Sequence, residues 1–307
     1  MIIKISTNYA ETLARQAPGG ILAWKDAEFV INQESAYCDA WVIHEGLSRR
    51  ESTQCPAGRI FFLSCEPPEI KTYGSGWLSK FASVITCHRD LRHPRIVLGQ
   101  TALPWHVCRS YDQLAGQDFP AKDADLSVIC SDKATIDGHR RRLRFVEGLL
   151  EHISMPRFGR GFNALSDKWD GLSPYRYSIA IENSQHDHYW TEKIADCFLA
   201  GTVPIYWGAP NIRDYFPAEA MIVLDTLDPH EAARIIKAEA TKEGYEKRLP
   251  ALREAKRRVL EDYNLLELAY QLATEGKAGG NRLQVSLAPE PSSRAYRIYC
   301  KLRSMLG

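Results

Sequence analysis

Short apolar runs separated by turns mark the first third of the chain: MIIKI (1–5), DAWVIHE (39–45), RIFFLSCE (59–66), SVITCH (83–88) and RIVLG (95–99). Several are continuous and β-rich rather than alternating, which predicts strands buried on both faces of a parallel sheet. YAETLARQA (9–17) and GWLSKFA (76–82) predict short helices between them. A polar stretch with Gly and Pro, YDQLAGQDFPAKDAD (111–125), reads as a linker. Beyond it the alternation resumes as LSVICS (126–131), an arginine-rich helix from Asp137, YSIAIEN (177–183), a helix from Thr191, VPIYWG (203–208), AMIVLD (220–225) and a helix from His230. Alternation of this kind predicts α/β layers with parallel sheets, here in two domains with a cleft between them.

The expected division is an N-terminal domain over 1–122, a second over 123–279, and a tail over 280–307 after the glycine-rich break EGKAGG. The last piece, SSRAYRIYCKLRSML, sets Ile298, Leu302 and Met305 on one helical face with basic residues opposite. Such a helix either touches an anionic membrane surface or packs back on the body of the protein.

Composition adds mostly exclusions. Across 307 residues, 39 basic and 38 acidic side chains leave a net charge of +1, so a global attraction to nucleic acid is not expected. No apolar run approaches the ~20 residues of a spanning helix, and the N-terminus is too weakly apolar for a signal peptide. The eight cysteines are scattered without a C-x-x-C pair, which suits reduced thiols in a cytosolic protein.

One residue poses a chemical question. Lys193 falls in the first turn of a helix capped by Thr191, against the positive end of the helix dipole. Ligands of open α/β sheets bind beyond the carboxyl ends of strands, and anions favour helix N-termini. A phosphate there would turn the penalty into cooperation; the alternative is a solvated lysine paired with Glu192 or Asp196. Arg142, just after the strand LSVICS, and Arg160, in FGRGFN, supply two further basic positions at the same kind of edge, although an arginine run is also ordinary solvated surface.

The segment YRYSIAIENSQHDHYWTEKIADCFLAGTVPIYWGAPNIRDYFP, residues 175–217, closely resembles the signature of the α-1,3/1,4-fucosyltransferase family. LSVICS, RLRFVEGL and FGRG follow that family's order upstream, and DAWVIHE and FFLSCEPP resemble its N-terminal landmarks. The resemblance implies a GT-B fold: two Rossmann-like domains with parallel sheets facing a central cleft, acceptor on the first and GDP-fucose on the second. Carried over position by position, it implies donor contacts at Tyr189, Glu192, Lys193, Arg142 and Asn183, with Ser131 and Arg160 beside them. It places the acceptor region around Trp77, His88, Arg89 and Trp105, although tryptophans are equally at home in a core.

Transfer with inversion needs a base for the attacking hydroxyl and positive charge for the departing diphosphate. The second service suits Arg142, Lys193 and a helix N-terminus without a metal; a divalent ion is expected to assist weakly at most. For the first, Glu66 follows a strand and precedes Pro67 and Pro68, which bias it toward an extended backbone, with Glu69 the other candidate. The family's catalytic base lies in a similar element, so Glu66 is the match. His186, Asp187 and His188 are too close together to share one ion without strain and read as loop residues.

The expected activity is therefore transfer of L-fucose from GDP-β-L-fucose to a hydroxyl of an acceptor glycan, α-1,3/1,4-linked, on a GlcNAc-containing acceptor. The alternatives are another GDP-sugar as donor, or a sugar-nucleotide-binding protein without turnover. The expected location is cytoplasmic, with peripheral contact at the inner membrane through the C-terminal helix as the open question.

Overall fold

The structure is a computed structural model that describes residues 1–275 and 280–290. The chain forms two compact units. One holds Met1–Ala14, Ile21–Thr101 and the described residues from Leu266 onward; the other holds Arg15–Gly20 and Ala102–Leu265.

The first unit is built on β1 (Ile2–Thr7), β2 (Ala23–Trp24), β3 (Ala27–Ile31), β4 (Ala40–His44), β5 (Glu51–Pro56), β6 (Ile60–Leu63), β7 (Ser83–Thr86) and β8 (Ile96–Leu98). Seven of these make one sheet in the order β2-β3-β1-β4-β6-β7-β8, parallel except for the edge strand β2. Every residue of β4, β6 and β7 is buried, as their continuous apolar runs anticipate. Short helices α1 (Ala10–Leu13) and α2 (Ser75–Leu78) stand where the apolar spacing places them.

The second unit contains α3 (Tyr111–Gly116), β9 (Ala124–Ile129), α4 (Asp137–Leu150), β10 (Arg157–Phe158), β11 (Tyr175–Ile181), α5 (Glu192–Leu199), β12 (Val203–Trp207), β13 (Ile222–Val223), α6 (Pro229–Glu239) and α7 (Lys242–Leu260). Its sheet runs β10-β9-β11-β12-β13, all parallel. Phe198, Val203, Ile205, Phe216 and Leu252 are among the fully buried side chains of its core.

The organisation differs from the expected one in four respects. The stretch 111–125 is no linker: Ser110 and Gln113 form a reciprocal capping box that starts α3, and Leu114 is buried in the second unit's core. After the brief excursion of Arg15–Gly20, the chain passes into the second unit at Thr101–Ala102, and Trp105 and Val107 already pack in that core. The chain then returns to the first unit through α8 (Leu265–Glu275) rather than keeping to one unit as far as residue 279. The expected tail begins as a strand, β14 (Arg282–Leu287), paired antiparallel with β5 from Arg282↔Pro56 to Leu287↔Glu51. The expected helix over 292–306 lies outside the described residues. Among the described residues, no helix is long and apolar enough to cross a membrane.

Candidate functional site

In the second unit, β11 ends at Ile181 and the chain loops into α5. The Glu182 N–H continues the ladder by donating to the Trp207 carbonyl (2.9 Å), which turns its side chain into the unit. The Glu182 carboxylate is fully buried and accepts from the Thr191 backbone and hydroxyl, each at 2.9 Å. Thr191 thus ties strand to helix and caps α5 as its sequence position anticipates, its hydroxyl also accepting the Lys193 N–H.

Lys193 faces carboxylates. Its Nζ lies 3.1 Å from Glu182 Oε2 and 3.6 Å from Glu192 Oε1, and donates to the Thr191 hydroxyl at 3.0 Å. Lys193 is 20% exposed and pairs with Glu192, one of the partners the solvated alternative named, but lies closer to the buried Glu182. The chain of charges continues through Lys168, whose Nζ lies 3.5 Å from Glu192 and 2.9 Å from Asp196. Asp196 in turn accepts the His106 N–H at 2.8 Å.

Burial acts on each of these groups, and the neighbours decide the outcome. Burial pushes Glu182 up, and Lys193 only partly offsets it. Burial would raise Glu192 too, but Lys193, Lys168 and His106 hold it well below the usual carboxylate range. Burial opposes the charge on Lys168, and Asp196 and Glu192 overcome it, raising its affinity for the proton.

These groups border a cavity of ≈ 200 Å³ between the carboxyl half of the sheet and the first turns of α5. Ser131, Arg142, Lys168, Glu192 and Lys193 all line it. Arg142 is 9% exposed and donates through Nη1 to Asn183 Oδ1 at 2.7 Å, while its buried Nε has no hydrogen-bond partner. Gly138, one turn earlier on α4, makes this contact possible: a Cβ there would sit 1.8 Å from the Asn183 carbonyl oxygen. A buried guanidinium nitrogen without an acceptor, at the wall of a cavity, is an unusual cost for a folded chain to retain.

The other expected positions have varied surroundings. Tyr189 is buried in the loop before α5 and does not line the cavity. Arg160 is exposed and outside the lining; its carbonyl accepts the Asp132 N–H at 3.0 Å, and its flanking glycines allow the loop to fold against Cys130 and Asp132. His188 is held by Asn211 and Tyr215, its Nδ1 lying 2.6 Å from the Tyr215 hydroxyl. Among the described residues there is no group of three side chains suited to hold a metal ion. Trp77 packs between Phe62 and Phe81 and donates to the Ala288 carbonyl, so it presents no open ring face. Trp105 is likewise core, and it belongs to the second unit. Arg89 is exposed; Glu66 is half-buried, with its carbonyl accepting from His88 Nε2 at 2.8 Å, and Glu69 is exposed.

Sequence reasoning missed Lys168 and Asp196 as part of this site, and treated Glu182 only as the end of a strand. Glu182 had a signal, a carboxylate directly after an apolar run; Lys168 had none.

The comparisons fall on the same segment. Residues 120–247 match the sequence model described as glycosyltransferase family 10 (fucosyltransferase), C-terminal. That match spans less than half of the chain, so the likeness to the family lies in this segment. The chain is 38% identical over 78 residues to the alpha-(1,3)-fucosyltransferase FucT of Helicobacter pylori, a match covering 25% of the chain and 16% of that protein. It is 29% identical over 126 residues to human 4-galactosyl-N-acetylglucosaminide 3-alpha-L-fucosyltransferase 9, covering 39% of the chain and 34% of that protein. The matched segments therefore span about a sixth to a third of those relatives' own length. In structure, it superposes on an alpha1,3-fucosyltransferase solved with GDP-fucose at a TM-score of 0.51 and 15% identity, covering 91% of each chain. The same comparison with a GDP-bound form covers 90% of the chain, also at 0.51. The likeness shows the fold, which is GT-B.

Proposed function

We propose that this chain transfers L-fucose from GDP-β-L-fucose to a hydroxyl of a GlcNAc-containing glycan, with inversion, in α-1,3/1,4 linkage. The observation that carries the reading is Arg142: a buried cation with an unsatisfied N–H, anchored by Asn183 at the wall of a cavity beside a helix N-terminus. Such a wall suits an anion. A cavity of ≈ 200 Å³ is smaller than the roughly 300–1,000 Å³ of a whole drug-sized ligand site, so it suits the diphosphate portion rather than the complete donor. The names of the relatives and of the superposed structure support fucose and GDP as its chemical class.

Arg142, the α5 N-terminus and Lys193 would stabilise the charge that develops on GDP as it leaves. Lys193 does so from within a carboxylate network, so its positive charge is shared, and Arg142 carries the larger part. Glu192, held ionised, suits acceptance of donor hydroxyls. In the first unit, Glu66 acts as general base: its carboxylate takes the proton from the acceptor hydroxyl as that oxygen attacks the anomeric carbon and the bond to the diphosphate breaks. No step of this scheme calls on a divalent ion.

The test is calorimetric titration of the protein with GDP-fucose in chelator, followed by a transfer assay on N-acetyllactosamine with the native chain and Glu66→Gln. Binding selective for GDP-fucose over GDP-mannose and a UDP-sugar, with transfer lost in the variant and donor affinity kept within about tenfold, supports the reading. Selectivity for a different GDP-sugar replaces the donor assignment. Binding without transfer by the native chain leaves a sugar-nucleotide-binding protein.

A further inference from the structure

Glu66 sits at the centre of a clamp that the sequence did not announce. Glu45, the residue after β4, lies in the left-handed backbone region at φ 69°, where a non-glycine side chain is strained. Its N–H donates to the Leu63 carbonyl at 2.8 Å, and its carboxylate accepts the Cys65 N–H at 2.6 Å. One residue thereby holds both sides of the chain leading into Glu66, just past the last ladder pair between β4 and β6, His44↔Leu63.

The carboxylate is itself fixed. Lys71 Nζ lies 2.7 Å from Oε1, and the Tyr73 hydroxyl donates to Oε2 at 3.0 Å; all three side chains are buried. The Tyr73 ring packs edge-on against His88, with centroids 5.4 Å apart. His88 Nε2 lies 2.8 Å from the Glu66 carbonyl and, because a carbonyl only accepts, carries the proton. Its own N–H donates to the Thr86 hydroxyl at 3.1 Å, anchoring it to the end of β7.

We infer that Glu45 and His88 are positioning residues for the base: Glu45 holds the Ser64–Cys65 peptide one residue before Glu66, His88 holds the Glu66 carbonyl itself, and together they set where its carboxylate points. This assigns His88 a role through Glu66 rather than through direct contact with a sugar. A strained backbone and a buried ion pair at one residue are a double cost, and structural stability alone is a poor reason to keep them, since buried pairs are often replaceable by apolar side chains without loss. The inference rests on Glu66 being the base.

Two pairs of variants in the full chain test it. Glu45→Gln with Lys71→Met keeps an oxygen for the Cys65 N–H; Glu45→Met with Lys71→Met removes it, and the loss of the lysine is common to both. The expected result is a kcat for GDP-fucose transfer to N-acetyllactosamine about 10- to 100-fold lower in the Met/Met protein, with donor KM and melting temperature matched. Likewise His88→Gln, which can still donate to the Glu66 carbonyl, should keep kcat within a few-fold of the native chain, while His88→Leu loses about tenfold or more. Should the position-45 variants fail to fold, the His88 pair decides. Equal kcat within each folded pair overturns the inference while leaving the proposed function standing. Full activity of Glu66→Gln, or absence of transfer by the native chain, shows that the reading beneath it has failed and takes the inference with it.

Discussion

Lys193 Nζ lies 3.1 Å from the fully buried Glu182 carboxylate, so the lysine that the helix dipole disfavours is held by a strand-end carboxylate that water cannot reach. Removing it should therefore leave a buried charge alone. Lys193→Ala is expected to cost about 3–5 kcal/mol of stability in urea unfolding, the range for breaking one side of a buried pair. Adding Glu182→Gln should recover most of that loss. GDP affinity should stay low in the double variant, which separates the lysine's structural part from its part in binding; recovered affinity would remove Lys193 from the donor site.

The two carboxylates flanking Lys193 respond to pH in opposite senses. Glu192 is held below its ordinary value of 4.5, so its stabilisation is present above the unfolded-state value and is lost as pH falls through the folded one. Glu182 is pushed above 4.5, so its contribution is fully present below that value and fades as pH rises through the folded one. Unfolding free energy measured from pH 7 down to pH 2 should fall less steeply below pH 4.5 in Glu192→Gln than in the native chain. Parallel curves would show that Glu192 is not held ionised by the two lysines.

Arg142 is the position where charge alone should not suffice. Its fork holds Asn183 through one nitrogen and leaves a buried Nε without a partner at a residue that lines the cavity, a donor set a lysine cannot reproduce. Arg142→Lys should weaken GDP binding by about tenfold or more in calorimetry, with melting little changed. Native-like affinity would mean that the cavity does not hold the diphosphate.

Gly138→Ala tests the approach of α4 to the Asn183 loop. A methyl group 1.8 Å from the Asn183 oxygen cannot be accommodated without moving the helix, and overpacking of this kind costs about 1–3 kcal/mol. The expected result is a lower melting temperature together with weaker GDP binding, because Arg142 moves with the helix. A drop in melting alone would uncouple the two.

The legibility of each feature in the sequence depends on the range of the interactions that create it. The strands β1, β4, β6 and β7 and the pairing of β11 with β12 are written locally, as apolar runs of the right length between turns. The start of α5 is local too, since a threonine three residues before an apolar helical face caps the helix that begins beside it. The forty residues around Lys193 carried the family resemblance for the same reason.

The features that the tertiary structure decided lie in pairs far apart along the chain. Strand β14 alternates polar and apolar residues, a local hint of a strand, but its partner β5 lies more than two hundred residues earlier and nothing near it announces that pairing. Trp77 and Trp105 became core residues because Phe62, Phe81 and the second unit's apolar layer close over them, and sequence alone cannot tell a buried ring from a stacking platform. Lys168 and Glu192 meet across twenty-four positions, Glu45 and Lys71 across twenty-six. The sequence determined which residues carry charge and where strands and helices begin. Which charges would face one another had to wait for the fold, because a buried ion is tolerated only beside a partner, and folding chooses the partner.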